Sequence, residues 1–223
     1  MKKTVLTLSA LVLFGMLYSC RQQPKKEKET SPLREPVKEE ITVKDLEPDH
    51  SFYRAEVAYI DQEYEQSAAD ILNGVGFMEK LLPFSKPKQR SELQHSIDEL
   101  KDFARDVKAD KVSGYQDYEY FFARAGKALC AHHIYVSETI AGEGNNDMEA
   151  AKNLLKAIHY LRSAYAKSAT GLTKDEQASL EYYKTFAKRI IRKDDMKDIK
   201  DVKKVFKDAF TNINSQLLMM GEP

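Results

Sequence analysis

Tryptophan is absent from the 223 residues, cysteine occurs only twice, and 35 basic side chains face 35 acidic ones. Two cysteines, Cys20 and Cys130, are too few for a disulfide framework, so the fold must stand on its apolar core. Balanced charge supplies no global field to attract acidic substrates, and nucleic acid is not expected as a partner. The longest mostly apolar run, Val5 to Leu17, has 13 residues, short of the roughly 20 that a bilayer-spanning helix needs. Catalytic signatures are also lacking. There is no Gly-x-Ser-x-Gly elbow, and the glycines of "GEGNND" have no Lys-Ser/Thr continuation to cradle phosphate. "CAHH" at Cys130 lacks the second cysteine of a c-type haem site. Only Glu92 and His95 have the Glu-x-x-His spacing that di-iron bundles use twice. With no evident nucleophile or general base, the expectation is a protein that is not an enzyme and carries no cofactor.

What is present begins with Lys2 and Lys3 ahead of the short apolar run, the order of an export signal. The run closes on Leu17-Tyr18-Ser19-Cys20, which resembles the lipobox of bacterial lipoproteins, with Tyr18 bulkier than the usual occupant. The resemblance implies that residues 1–19 are removed and that Cys20 becomes an acylated N-terminus. Two or more acyl chains anchor stably where one is marginal, at about 0.8 kcal/mol per buried methylene. Arg21 after the cysteine is not the Asp of inner-membrane retention, which implies the outer membrane. The following Gln, Gln, Pro, Lys and Lys are not the acidic run of surface-exported lipoproteins, which implies the periplasmic face. Cleavage would take away Lys2 and Lys3, and acylation would leave Cys130 without an intramolecular partner.

Residues 20–48 are expected to form a disordered tether. From Arg21 onward this stretch holds Pro24, Pro32, Pro36 and Pro48, seven bases, seven acids and few apolar residues, too few to offset the entropy of ordering. Stretched fully, it would reach roughly 80 to 90 Å.

From 49 to 223 the apolar spacing is three and four, and no convincing two-residue alternation appears, so the domain is expected to be all-α, an antiparallel up-and-down bundle of about six helices. Tyr53, Val57, Ile60, Tyr64, Ala68, Ile71, Val75, Met78 and Leu82 lie on one stripe. They predict a first helix of about thirty residues and roughly 45 Å, whose last part Gly74 and Gly76 weaken and bend and which Pro83 and Pro87 end. Leu93, Ile97, Leu100, Ala104 and Val107 mark the second. The third carries Tyr118, Phe122, Ala125, Leu129, His132, Val136 and Thr139, and ends at "AGEGNND", where Asn146 or Asp147 caps the fourth. Thr173 with Glu176 is a capping box opening the fifth, and the sixth runs from Ile199 past Phe206 to Leu217. Long, unequal helices without a fixed period argue against a helical-repeat array. The stretch from "YFFARAGKALCAHHIYVSETI" through "AAKNLLKAIHYLRSAYAKS" resembles helical hairpins of small exported bacterial proteins of the YfdX type over about fifty residues, and implies no function.

Candidate sites are few. Cys130, His132 and His133 fall within one helical turn, and His159 on the next helix approaches them if the two pair as a hairpin, which makes these four the candidate metal ligands. A structural zinc needs four ligands, and the simpler expectation is buried, hydrogen-bonded histidines beside a packed thiol. Tyr115, Tyr118 and Tyr120, with Phe121 and Phe122, crowd the start of the third helix and offer a possible interaction platform. Lys188 to Lys207 is a basic stretch interrupted by Asp194, Asp195, Asp198 and Asp201, which reads as salt-bridged surface. The expected function is a lipid-anchored envelope protein whose helical domain binds a protein or envelope component. A periplasmic ligand-binding or metal-binding bundle is the alternative, and an enzyme with a site in a bundle cavity stands behind it.

Overall fold

The computed structural model describes residues 47–221 apart from 145, 195, 198 and 200. The signal, Cys20 and the tether up to residue 46 lie outside the described residues. All regular structure described is helical: α1 Asp49–Ile60, α2 Tyr64–Glu79, a 3-10 turn Leu82–Phe84, α3 Pro87–Lys108, α4 Tyr115–Glu143, α5 Asp147–Lys167, α6 Lys174–Arg192 and α7 Val202–Met219.

The expected first helix is two helices, so the described bundle has seven. The chain breaks at Asp61-Gln62-Glu63, where Gln62 takes φ 63°, and the amides of Gln62 and Glu63 close on the carbonyls of Tyr59 and Ala58 at 3.0 and 2.8 Å. A left-handed non-glycine residue costs roughly 1 to 2 kcal/mol. Folding α1 back on α2 recovers this by burying Phe52, Ala55 and Tyr59, a face one residue away from the expected Tyr53, Val57 and Ile60 stripe. The two helices run antiparallel: the Ser67 hydroxyl donates to the Ala55 carbonyl at 2.7 Å, and the Arg54 guanidinium pairs with Asp70 at 3.0 Å. Gly74 is not a bend. A Cβ there would come within 2.4 Å of the Phe52 ring, so it is the point where α1 and α2 touch.

Successive helices pair antiparallel from α1 to α5, and α4 lies at the centre, packed against α3, α5 and α7 and reaching α1 through Phe52, whose ring stacks on Phe122 at 4.5 Å. Small residues let α4 and α5 approach closely: a Cβ on Gly126 would stand 3.2 Å from the Tyr160 carbonyl oxygen. Enclosed on so many sides, α4 buries Ala123, Gly126, Cys130, His133 and Ile134 as well as Tyr118 to His132 of its expected stripe, whose last members Val136 and Thr139 are only half-buried. The five apolar positions expected of α3 are all in the core. Both caps form as expected: Asn146 accepts from the Glu149 amide at 3.1 Å, and Thr173 and Glu176 make the reciprocal box. The packed unit also takes in Glu47 and Pro48, two residues before its expected start. Pro48 is buried, and the Glu47 carbonyl accepts from the Tyr160 hydroxyl at 2.9 Å.

Candidate functional site

Polar chemistry inside the bundle forms a layer across α4, α5 and α1. His132 Nδ1 lies 2.7 Å from the Ser85 hydroxyl, and His133 Nδ1 lies 3.0 Å from the Asn153 side-chain oxygen. The two imidazoles are 5.0 Å apart, and His133 stacks on Tyr160 at 5.5 Å. On the far side of Tyr160, His159 Nε2 meets Asp49 at 2.9 Å, and Ser163 donates to the same carboxylate at 3.1 Å. One turn further, Lys167 pairs with Glu56. Residues 159, 163 and 167 of α5 thus face residues 49 and 56 of α1, one helical face against another.

Burial shifts these groups in both directions. It holds His132 down to about 4, with Lys156 adding repulsion, and His133 down to about 3, helped by His132. Burial alone would raise the Asp49 carboxyl, but the hydrogen bond and charge of His159, with Lys167 and Ser163, bring it below the ordinary value. Glu56 goes the other way: burial outweighs Lys167 and raises it. The Cys130 thiol, wholly enclosed, is pushed up by burial, which keeps it a protonated, packed side chain.

Of the candidate metal ligands, the structure brings His132 and His133 together and leaves Cys130 and His159 elsewhere in the core. Cys130 and His133 are both buried, and His133 Nδ1 is held by Asn153. Among the described residues no group of three or more His, Cys, Asp or Glu side chains is placed to hold a metal ion. The tyrosine platform is also corrected. Tyr115 and Tyr118 are interior, Tyr118 packing on Tyr59 at 4.6 Å and Phe103 at 4.8 Å with its hydroxyl 2.7 Å from Ser67. Only Tyr120 of the three stays at the surface, where Arg124 donates to its hydroxyl at 2.7 Å.

The recesses lie on the outside. A trench of about 480 Å³ runs between the start of α3, the second half of α4 and the end of α7. Ala131, Ile134 and Leu217 give it apolar walls, and Lys86, Lys88 and Lys127 outnumber Glu92 and Glu138 along it. Leu218, 81% exposed, stands at its edge beside Met219, 63% exposed. A smaller recess of about 180 Å³ continues from it between α3 and α4, sharing Glu92 and Lys127. A third lies between α6 and α7, where Arg189 and Lys204 alternate with Asp201 and Asp208. Sequence reasoning missed the trench because it is assembled from three helices. The available signal was Leu217, Leu218 and Met219 in succession, three apolar residues where a one-stripe helix buries one.

These features define a class: an all-α bundle with a sealed polar layer and surface trenches. No helix among the described residues is long and apolar enough to cross a membrane. The chain matches no family model, no curated protein and no solved structure.

Proposed function

We propose that this is a lipid-anchored envelope protein, acylated on Cys20 and held at the periplasmic face of the outer membrane, that acts by binding a partner and not by catalysis. The Leu17-Tyr18-Ser19-Cys20 sequence supports the anchor. The binding reading is carried by the trench between α3, α4 and α7, with Leu218 exposed at its edge and three lysines along it. Its chemistry fits a protein segment that pairs apolar side chains with acidic ones: the leucines and Ile134 receive the first, and Lys86, Lys88 and Lys127 the second. The enclosed histidines and Cys130 favour a structural role for the residues that would otherwise suggest chemistry.

The test is a photo-crosslinking amino acid at Leu218 in the full-length protein expressed in its membranes, beside a control at exposed Tyr182 of α6, which does not line the trench. A discrete adduct at 218, absent at 182 and lost when Lys88→Glu and Lys127→Glu are combined, is the expected result. No adduct, or one indifferent to the charge reversals, overturns the trench as the binding face. Metabolic acyl labelling of wild type and Cys20→Ala reads the anchor separately: label on the variant, or none on the wild type, removes it.

A further inference from the structure

The smaller recess carries an inference that does not depend on the partner reading. Its α3 wall presents Glu92, His95, Ser96 and Glu99, spaced so that they share one helical face, and its α4 wall presents Arg124 and Lys127. Ser96 and Ala128 are the short side chains that leave the space open. Ser96 is only 4% exposed, yet its hydroxyl has no hydrogen-bond partner. A buried hydroxyl in a helix ordinarily donates to the preceding turn or finds another acceptor.

The charged walls are held in place. Arg124 Nε pairs with Glu99 at 3.0 Å and its other arm donates to Tyr120. His95 lies 3.3 Å from the second oxygen of Glu99, and Lys127 donates to the Gly221 carbonyl. The result is a fixed dipolar cleft, acidic on α3 and basic on α4, with an unsatisfied hydroxyl in its lining.

We infer that this recess binds a small zwitterion of free α-amino-acid size. The ammonium meets Glu92, the carboxylate meets Lys127 in exchange for the Gly221 carbonyl, and Ser96 supplies a hydrogen bond from the wall, while Glu99 and Arg124 stay paired and close the inner end of the recess. A simple anion would face the two glutamates and a simple cation the two bases, whereas a molecule carrying both charges complements both walls. The volume of about 180 Å³ is that of roughly six waters and falls below the several hundred cubic ångströms typical of drug-sized ligands, a size that suits a small molecule.

The experiment is calorimetric titration of the purified full chain with glycine, L-alanine, D-alanine and L-serine, with acetate and methylamine as single-charge controls. The expected result is saturable binding of at least one amino acid, about tenfold or more tighter than either control. Glu92→Gln, at an exposed position, should weaken it by about tenfold or more while the helical circular dichroism and melting are unchanged. Ser96→Leu, filling the space, should abolish it. If Ser96→Leu does not fold, Glu92→Gln and Lys127→Gln decide. No heat with any amino acid up to about 10 mM, acetate or methylamine binding as tightly, or full binding by Glu92→Gln would each overturn the site.

Discussion

Lowering the pH from about 7.5 to about 5 should destabilise the bundle strongly, through His132 and His133. Unfolded, each imidazole titrates near its ordinary value of 6.5; folded, burial holds the first neutral down to about 4 and the second down to about 3. The sign follows. A depressed histidine lets the unfolded chain take up protons that the folded chain refuses, so this stability is present above about 6.5 and is lost as the pH falls toward the folded values. Each site loses up to about 1.4 kcal/mol per pH unit in that window, so by pH 5 the pair removes about 4 kcal/mol. That is a large part of the roughly 5 to 15 kcal/mol that keeps a domain folded. Glu56, raised by burial, acts in the opposite sense, since its folded carboxyl takes up a proton before the unfolded one does, and it offsets part of the loss near the lower end. Asp49, lowered, adds its own loss only at pH values around and below the ordinary carboxylate range. Urea unfolding followed by circular dichroism at half-unit pH steps measures the profile. The midpoint should fall steadily below pH 6.5, and the double variant His132→Gln with His133→Gln should be less stable at pH 7.5 but nearly flat in pH. A flat wild-type profile, or the same slope in the double variant, would refute the account.

Three further perturbations separate the elements of the fold. Lys167→Met leaves Glu56 buried without its partner, and should cost about 3 to 5 kcal/mol; adding Glu56→Gln should restore most of this, as read from urea midpoints. Gly74→Ala drives a methyl into the Phe52 ring that stacks on Phe122, and should cost about 1 to 3 kcal/mol, reduced but not reversed by the roughly 1 kcal/mol gain in helix propensity; a raised melting temperature would contradict that packing. Thr173→Ala removes the capping box of α6 and should cost about 1 kcal/mol, a loss that Glu176 alone does not recover.

Much of this architecture is legible in the sequence where one helix face meets one neighbour. The periodicity of α3 names five of its six buried apolar residues, leaving out Phe103, and Asn146 and Thr173 mark the starts of α5 and α6 through local chemistry that needs no tertiary partner. The break at Gln62 carries no such mark. Nothing in "YIDQEYE" forbids a helix, and the turn follows from what α1 gains by lying against α2 and α5 in place of extending α2. The wide burial of α4 was signalled by Ala123, Ala125, Gly126 and Ala128, but a one-stripe reading assigns all of these except Ala125 to the surface. Glu92 and His95 are visible as a pair in the sequence; the recess they border needs Arg124 and Lys127 from the helix opposite, a juxtaposition that linear spacing does not contain.

The polar layer shows why α1 is placed where it is. Against α2, the helix packs through Phe52, Ala55 and the close approach at Gly74, with the Ser67 hydroxyl on the Ala55 carbonyl and Arg54 on Asp70 fixing its position along that neighbour. Against α5, Asp49 meets His159 and Ser163 while Glu56 meets Lys167. A shift of one residue, about 1.5 Å, would misalign both pairs at once and leave buried charges unmatched, a penalty larger than any apolar slip would carry. Tyr160 extends the same registry to Glu47, so the first described residues of the chain are held by α5 through hydrogen bonds and charge. The apolar contacts of α1 therefore supply most of its burial, and the polar ones select a single register for it.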